Sequence, residues 1–405
     1  MRSFANLFLL LFLADGSLSL LDELASILFP VVPLSEFRNL VANAVILLAI
    51  PLYLSLGIDQ RLPKRLLLPL ILFVIGAPLS TWIFPSLTLF GGFGLLMAAA
   101  QIALGTFLLH RLNKKGETPL TLPREMFDAP YFSLKNTLTF AGVNLFALPV
   151  FLVTLALFLA NSYVTAYTSG FMRVEPGGLY MVERSYKRDD RTIRLASMIH
   201  IGEKKYYEDV ARMVVSGRTL VLAEGVTDEK EMLRNKLDYG KVASLLGLTS
   251  QERMLFAGRV IDPKELDAPR DKEERGKAGA PDIMRGDVDL STFRPETMLL
   301  LDAMGKHLRD NDSVLEGVLE LNEWAGKTVT PEMYEIIMDD ILHRRNKVLL
   351  GYMDKALKRY DTVVIPWGAL HMKEIEAEVL NRGFVLQEER KRMSVDFKRM
   401  LAGRM

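Results

Sequence analysis

Three residues with the side chains of metal ligands each follow a short apolar run of the kind that forms a buried strand. They are His200 after residues 194–199, Glu224 after residues 219–223, and His371 shortly after residues 363–367. Two neutral imidazoles and a carboxylate are a common ligand set for Zn, Mn, Co or Fe, and one coordination position is left for a reactive water. The three residues together therefore predict a metal centre assembled from strand ends.

Each of these residues has a structural alternative when it is taken singly. A histidine at a strand end is often a hydrogen-bonded structural residue, and Glu224 is equally suited to form a buried ion pair with Arg345. The prediction of a site depends on the three occurring together.

The elements around these residues alternate between strands and helices. The predicted order is strands 180–184 and 194–201 joined by a charged turn at 187–191, helix 204–215, strand 219–223, helix 345–356, strand 362–367, helix 371–380 and strand 384–387. The strand runs are short and apolar, whereas the helical runs space their apolar residues three and four apart. This order predicts an α/β domain with a mixed central sheet. Residues 262–286 are charged and proline-containing, which predicts an exposed or mobile excursion.

The 405-residue chain divides near Arg173 into a part with few charges and a part rich in them. We expect a transmembrane region at 1–169 and an α/β domain at 170–405. The formal net charge is +1 and there is no basic block with interleaved aromatic residues, so nucleic acid is not an expected partner. The absence of cysteine excludes disulfides and thiolate metal sites.

The N-terminal part contains apolar stretches long enough to cross a membrane, which takes about 20 residues. The predicted spans of this all-α bundle are residues 4–24, 39–58, 66–84, 91–110 and 139–161. The first also resembles the start of a signal peptide; we expect it to be uncleaved. Asp15, Asp22 and Glu23 interrupt it, and these acids either lie at the membrane interface or line a polar crevice.

Basic residues in the short loops predict the orientation, because cytoplasmic loops carry an excess of Lys and Arg. One loop contains Arg61, Lys64 and Arg65, and the loop after the fourth span contains Arg111, Lys114, Lys115, Arg124 and Lys135. Both loops are therefore expected in the cytoplasm, which places the C-terminal domain outside it.

Four motifs in the C-terminal half occur in the order found in one known family. They are Met198-Ile-His200-Ile-Gly202, Val221-Leu-Ala-Glu224-Gly225, Arg345-Asn346 and Trp367-Gly-Ala-Leu-His371. Residues 178–386 thereby resemble the TraB/PrgY/GumN family, which includes the Tiki proteases. The resemblance implies an erythromycin-esterase/ChaN-like α/β fold and, for the Tiki relatives, a metal-dependent peptidase that prefers Mn or Co; Zn is also compatible with the ligand types.

The resemblance also implies roles for individual residues. His200 and His371 become metal ligands, and Glu224 becomes a third ligand or a general base. Arg345 and Asn346 match the family's Arg-Asn pair, which binds a substrate carboxylate or holds Glu224. Asp287 matches an Ala-Asp element of the family.

The two Gly-x-x-His motifs of the family differ in this chain. Gly368 completes the motif that ends at His371, whereas Ser197 replaces glycine in the motif that ends at His200. If that glycine allows close backbone approach to metal or substrate, Ser197 puts catalysis in doubt. His343, just before Arg344-Arg345, is a candidate to support the site from its helix.

The leading hypothesis is a membrane-anchored, metal-dependent hydrolase that uses a metal-activated water on extracytoplasmic or membrane-near peptides. Its expected partners are a peptide or protein substrate and the lipid bilayer, and the sequence indicates no oligomeric state. The alternative is a non-catalytic protein that sequesters a peptide signal or a haem-like ligand. Transport by the spans is a third class, but no inverted repeat or buried charge pair in the sequence favours it.

Overall fold

The computed structural model describes residues 1–28, 34–84, 87, 91–112, 121–212, 218–235, 239–240, 243, 248–251, 256–267, 280–311 and 313–402. The chain forms two compact units, Met1–Phe158 and Leu159–Met405, each with its own core. The division lies inside a long helix and not at its end, because the last turns of that helix contact the strands that follow. Asn161 Oδ1, for example, accepts a hydrogen bond from the backbone N–H of Val174 at 2.9 Å.

The N-terminal unit is mostly helical. Its helices are α1 (Arg2–Leu28), α2 (Leu34–Ile58), α3 (Lys64–Ile83), α4 (Phe93–Leu112) and the first part of α5 (Leu134–Thr168). Each overlaps one predicted span, and within the described ranges these five are long and apolar enough to cross a membrane. A helix satisfies its backbone hydrogen bonds internally, as the hydrocarbon core of a bilayer requires.

Two acidic residues of α1 are buried within the N-terminal unit. Asp22 forms an ion pair with Arg38 of α2 at 3.0 Å and accepts a hydrogen bond from Ser35 at 3.1 Å. Asp15 accepts a hydrogen bond from Gln101 of α4 at 2.8 Å. Two of the three acids that interrupt the first span thus have polar partners on neighbouring helices, and the spacing of the sequence did not reveal the Asp22–Arg38 charge pair.

The C-terminal unit is built on a mixed sheet, as predicted. In chain order the strands are β1 (Met172–Glu175), β2 (Gly178–Arg188), β3 (Arg191–Met198), β4 (Ile201–Gly202), β5 (Thr219–Ala223), β6 (Thr249–Ser250), β7 (Arg259–Val260), β8 (Asp282–Arg285), β9 (Thr362–Gly368) and β10 (Val385–Asp396). The sheet order is β1-β2-β3-β9-β5-β8-β7, β10 pairs with β2, and β4 and β6 form a separate ribbon. Strands β3, β9, β5, β8 and β7 pair in parallel, whereas β1, β3 and β10 each pair antiparallel with β2.

Helices connect and cover these strands. They are α6 (Lys204–Ala211), α7 (Pro295–Asp310), α8 (Val314–Thr328), α9 (Pro331–Met338), α10 (Arg344–Ala356), α11 (Ala369–Asn381) and α12 (Phe397–Ala402). A π-helical turn, Asp339–His343, joins α9 to α10. Such turns add a residue to a helix and are frequent at functional sites.

Both faces of the central parallel strand β9 are buried. Val363 and Ile365 of β9 pack in one core with Leu349 of α10, while Val364 between them packs in a second core with Tyr206 of α6. Successive side chains of a strand point to opposite faces, so a continuous apolar run is what a doubly covered strand requires.

Two predictions for this unit need correction. The last strand was expected at 384–387 but runs over Val385–Asp396, where it pairs along β2. It is an exposed, highly charged strand at the edge of the sheet, so no apolar run signals it. The prediction of an exposed or mobile excursion at 262–286 is wrong for Asp282–Arg285, which forms β8 beside β5. Residues 268–279 of that stretch lie outside the described residues.

The five helices and their basic loops lead to a test of orientation. The basic loops predict that the last span exports the C-terminal unit, so a reporter enzyme that needs disulfides should be active when fused after Met405. The same reporter fused after Arg65, in the first basic loop, should be inactive and serves as the matched control. Activity of the Arg65 fusion without activity of the Met405 fusion would show that the orientation is the reverse of the predicted one.

Candidate active site

The carboxyl ends of neighbouring parallel strands deliver the candidate residues to one edge of the sheet. Glu224 directly follows β5, Asp287 lies two residues after β8, and His371 lies in the first turn of α11 after β9. Strand β9 lies between β3 and β5, and β5 pairs with β8. The ends of such strands are where ligands bind in open α/β sheets, so the position suits a functional site.

Arg345, at the start of α10, connects these strand ends. Its Nε and Nη2 donate to the two carboxylate oxygens of Asp287 at 2.9 and 2.7 Å, and Nη2 also donates to Glu224 Oε1 at 2.8 Å. Nη1 donates to the carbonyl oxygen of Ile341 at 3.2 Å and lies 3.2 Å from His371 Nε2. These contacts use every N–H group of the guanidinium. Arg345 therefore holds Glu224, and it has no N–H group left over for a substrate carboxylate in this arrangement.

Asp287 fixes the guanidinium through its Nε and Nη2 atoms. Its side chain is fully buried, and besides Arg345 it accepts hydrogen bonds from the backbone N–H groups of Gly225 at 3.0 Å and Val288 at 2.8 Å. A bidentate Arg–carboxylate pair with further donors to the carboxylate is the geometry in which a buried ion pair is stable. Burial by itself would lower the pKa of Arg345, but its bonds to Asp287 and Glu224 raise that pKa above the ordinary value.

Glu224 has both carboxylate oxygens engaged. Oε1 accepts from Arg345, and Oε2 accepts from the backbone N–H of Gly368 at 2.7 Å. A Cβ atom at Gly368 would lie 3.5 Å from Glu224 Oε2 and 3.5 Å from the ring of His371. The glycine thus leaves room directly beside the two candidate reactive groups.

His371 is buried and has a partner on each ring nitrogen. Nδ1 lies 2.7 Å from Asn346 Oδ1, and Nε2 lies 3.2 Å from Arg345 Nη1 and 3.6 Å from Glu224 Oε1. Burial lowers the pKa of His371 to about 3; the charge of Glu224 opposes this effect, whereas Arg345 and His200 add to it. The imidazole is therefore neutral at physiological pH.

Trp367 packs against the cluster. Its indole N–H donates to the carbonyl oxygen of Leu222 at 3.0 Å, its ring meets His371 edge to face at 5.0 Å, and the Arg345 guanidinium lies 5.3 Å from the ring centre. The face of the buried indole ring attracts a nearby cation, here the Arg345 guanidinium.

A second buried carboxylate, that of Asp340, holds the start of α10 in position. Asp340, in the π-helical turn, is fully buried and accepts hydrogen bonds from Arg294 at 2.8 and 3.0 Å, Thr297 at 2.8 Å and Arg344 at 2.9 Å. These bonds tie the start of α7 to the start of α10, where Arg345 lies.

Asn346 and His343 share one partner that the sequence motifs did not indicate. Asn346 Nδ2 donates to Glu374 Oε2 at 2.7 Å, and His343 Nδ1 lies 2.9 Å from the same oxygen. His343 thus connects to Asn346 of the cluster through Glu374. Glu374 lies three residues after His371 on α11, so the shared helix face was the signal that could have identified it.

Two expected site residues make their contacts outside the hydrogen bonds around Arg345. His200 is exposed and stacks on Tyr239 with ring centres 4.6 Å apart. The hydroxyl of Ser197 donates to the carbonyl oxygen of Phe171 at 2.7 Å and accepts from the N–H of Val182 at 3.0 Å. Ser197 therefore ties β3 to the segment that leaves α5, which is a structural role.

The side chains as positioned do not fit the expected three-ligand metal centre. Glu224 and His371 bring two suitable donors together, but the Nε2 lone pair of His371 already faces a cation, Arg345, and His200 is stacked elsewhere. Among the described residues, no group of three or more His, Asp or Glu side chains is arranged to hold a metal ion. A divalent ion at Nε2 would have to displace the Arg345 guanidinium.

Comparison of the chain with protein-family models, with characterised proteins and with solved structures found no match. The function of the site therefore has to be inferred from its own geometry.

The buried neutral imidazole makes stability depend on pH. The pKa of His371 is about 3 in the folded protein against an ordinary 6.5, so below pH 6.5 the unfolded chain takes up a proton that the folded chain does not. The stabilising contribution is complete above pH 6.5 and falls by about 1.4 kcal/mol per pH unit as the pH decreases toward 3.

The measurement is urea unfolding of the full-length protein in detergent, compared with His371→Gln. We expect the free-energy difference between the two proteins to shrink by about 2 kcal/mol between pH 6.5 and about pH 5. A difference that does not change with pH would show that His371 is not buried in its neutral form.

Proposed function

We propose that this protein is a membrane-anchored hydrolase whose reaction centre is His371, Glu224 and Arg345. The observation that carries this proposal is a neutral imidazole whose Nε2 lies 3.2 Å from a guanidinium nitrogen and 3.6 Å from a carboxylate oxygen. Ionisable groups buried together at strand ends contribute little to stability compared with apolar packing, and they cluster at active sites.

The order of the sequence motifs supports the same assignment. Glu224, the pair Arg345-Asn346 and His371 come from three separate motifs in the chain, and their side chains meet in one hydrogen-bonded cluster. A TraB/PrgY/GumN-type domain with an erythromycin-esterase/ChaN-like fold is part of this proposal.

In the proposed reaction, one contact opens to create both reactive groups. The contact between Arg345 Nη1 and His371 Nε2, at 3.2 Å, is the longest that the guanidinium makes with a side chain. When a substrate carbonyl oxygen replaces Nε2 as the acceptor, Nη1 becomes a donor to that oxygen and the imidazole lone pair faces a water. Moving the cation away from Nε2 also makes the imidazole a stronger base.

The hydrolytic step then needs no group beyond these residues and water. The water oxygen attacks the carbonyl carbon, its proton passes to His371 Nε2, and Arg345 stabilises the negative charge on the carbonyl oxygen. Glu224 stabilises the imidazolium that forms. The proton then passes to the leaving nitrogen as the carbon–nitrogen bond breaks.

The proposed substrates are peptides or proteins at or near the membrane, on its extracytoplasmic side. Because the chain runs from α5 directly into β1, the domain is covalently attached to the predicted membrane region. Tethering raises the effective concentration of substrates that are held at the same membrane.

A second candidate function is sequestration of a peptide signal or haem-like ligand without turnover. Two observations favour it: every N–H group of Arg345 is already bonded, and an imidazole with a pKa of about 3 is a weak base. In that case the hydrogen-bonded cluster would give rigid support to a binding surface and would not take part in a reaction.

The test is peptide cleavage by the full-length protein in detergent, with and without added Mn²⁺, Co²⁺ or Zn²⁺. Loss of the base in His371→Ala and loss of the carboxylate charge in Glu224→Gln should each reduce the rate by about 100-fold or more. His307→Ala is the matched control, because His307 pairs with Glu320 on a separate helix pair and should keep full activity.

The outcomes separate the candidates. Cleavage lost in both site variants supports hydrolysis. Binding of peptides without cleavage under any metal condition would replace hydrolysis by sequestration, and cleavage unaffected by either substitution would place the reaction elsewhere in the protein.

A further inference from the structure

We infer that Glu374 is a positioning residue: through Asn346 it holds the proton of His371 on Nδ1, so that Nε2 keeps its lone pair when Arg345 Nη1 donates to a substrate instead. The consequence for catalysis rests on the proposed hydrolysis, whereas the tautomer of His371 does not. Sequence motifs assign no role to Glu374.

The chain of hydrogen bonds begins at the carboxylate of Glu374. A carboxylate accepts hydrogen bonds and cannot donate them, so the group of Asn346 that lies 2.7 Å from Glu374 Oε2 is its NH₂. The reverse orientation would place two oxygen acceptors in contact. Glu374 therefore fixes which end of the Asn346 amide faces inward.

The inward end of Asn346 is then its carbonyl oxygen. That oxygen lies 2.7 Å from His371 Nδ1 in an almost fully buried position, so Nδ1 has to donate a proton to it. A neutral imidazole has one N–H, which leaves Nε2 unprotonated.

Arg345 enforces the same tautomer from the other side. Its Nη1 is a donor, so at 3.2 Å from Nε2 it also requires a lone pair there. While Nη1 contacts Nε2, Arg345 and the Glu374–Asn346 pair each require this tautomer, so either one is sufficient. They differ once Nη1 turns to a substrate, because only the Glu374–Asn346 pair then remains to keep Nε2 free.

The outer end of this chain of hydrogen bonds lies in solvent. His343 donates to the same Glu374 oxygen at 2.9 Å, and its side chain is 61% exposed while that of Glu374 is 39% exposed. Substitution at Glu374 therefore leaves no buried cavity, and the fold should tolerate it.

The experiment removes the two controls separately and together. Arg345→Lys keeps the buried positive charge for Asp287 and Glu224 but loses the planar fork that reaches His371. Glu374→Ala removes the anchor of Asn346. Ring ¹⁵N NMR of the full-length protein in detergent, with chelator at neutral pH, reports which nitrogen of His371 carries the proton; comparison with His371→Gln assigns its signals among the five histidines.

We expect the Nδ1–H form in the wild type, in Glu374→Ala and in Arg345→Lys, and loss of this single form in the double variant Arg345→Lys/Glu374→Ala. Glu374→Gln in the Arg345→Lys background should restore it, because the side-chain oxygen still accepts from Asn346. Glu378→Ala in the same background is the matched control, since Glu378 on the same helix bonds to Arg382 and should leave the tautomer unchanged.

Two results would overturn the inference. One is loss of the Nδ1–H form in Arg345→Lys alone, which would make Arg345 the sole control. The other is an unchanged Nδ1–H form in the double variant, which would show that Glu374 is not needed. Because the readout is the proton on His371 and not turnover, failure of this inference and failure of the proposed hydrolysis are separate results.

Discussion

The buried ion pair between Arg345 and Asp287 is the interaction on which the arrangement of the site depends. Two parallel hydrogen bonds at 2.9 and 2.7 Å fix the plane of the guanidinium. The remaining N–H groups then determine where Glu224 and the Nε2 atom of His371 lie. Removing one partner of such a pair leaves an uncompensated charge in the protein interior, which is strongly destabilising. The ion pair thus couples the ends of β5, β8 and β9 to the start of α10.

The complete hydrogen bonding of the site has one effect that favours catalysis and one that opposes it. Full hydrogen bonding makes it rigid, and rigid positioning favours catalysis. The same saturation means that a substrate has to displace an existing contact before any reactive group is available. The 3.2 Å contact between Arg345 and His371 is the one whose loss frees both a donor and a base, while the shorter bonds to Asp287 keep the guanidinium in place. Arg345 also lies where a divalent cation would have to bind.

The sequence predicted the strand ends well because their signals are local. Apolar runs such as 362–367 fold into strands whichever partners they pair with, so the positions of Glu224 and His371 after them followed directly. Strand β8 was missed because four residues in a charged stretch with nearby prolines carry no periodic signal. The outward position of His200 was also unpredictable, since it depends on stacking against Tyr239, a residue far from it in the chain. Of the alternatives for Arg345, the sequence could not decide between a substrate contact and an ion pair, because the decisive partner, Asp287, is positioned by that missed strand, which ends two residues before it.

The role of the Arg345–Asp287 ion pair is tested by a double-mutant cycle on the free energy of unfolding, with Asp287→Asn, Arg345→Gln and the double variant in the full-length protein. Unfolding is followed by tryptophan fluorescence, to which Trp367, which lies against Arg345, contributes together with the other two tryptophans. If the ion pair holds the site together, each single substitution should destabilise the protein by roughly 3–5 kcal/mol, and the double variant should lose less than the sum by about 2 kcal/mol or more. Losses that simply add would show that the two residues act independently and would contradict the account.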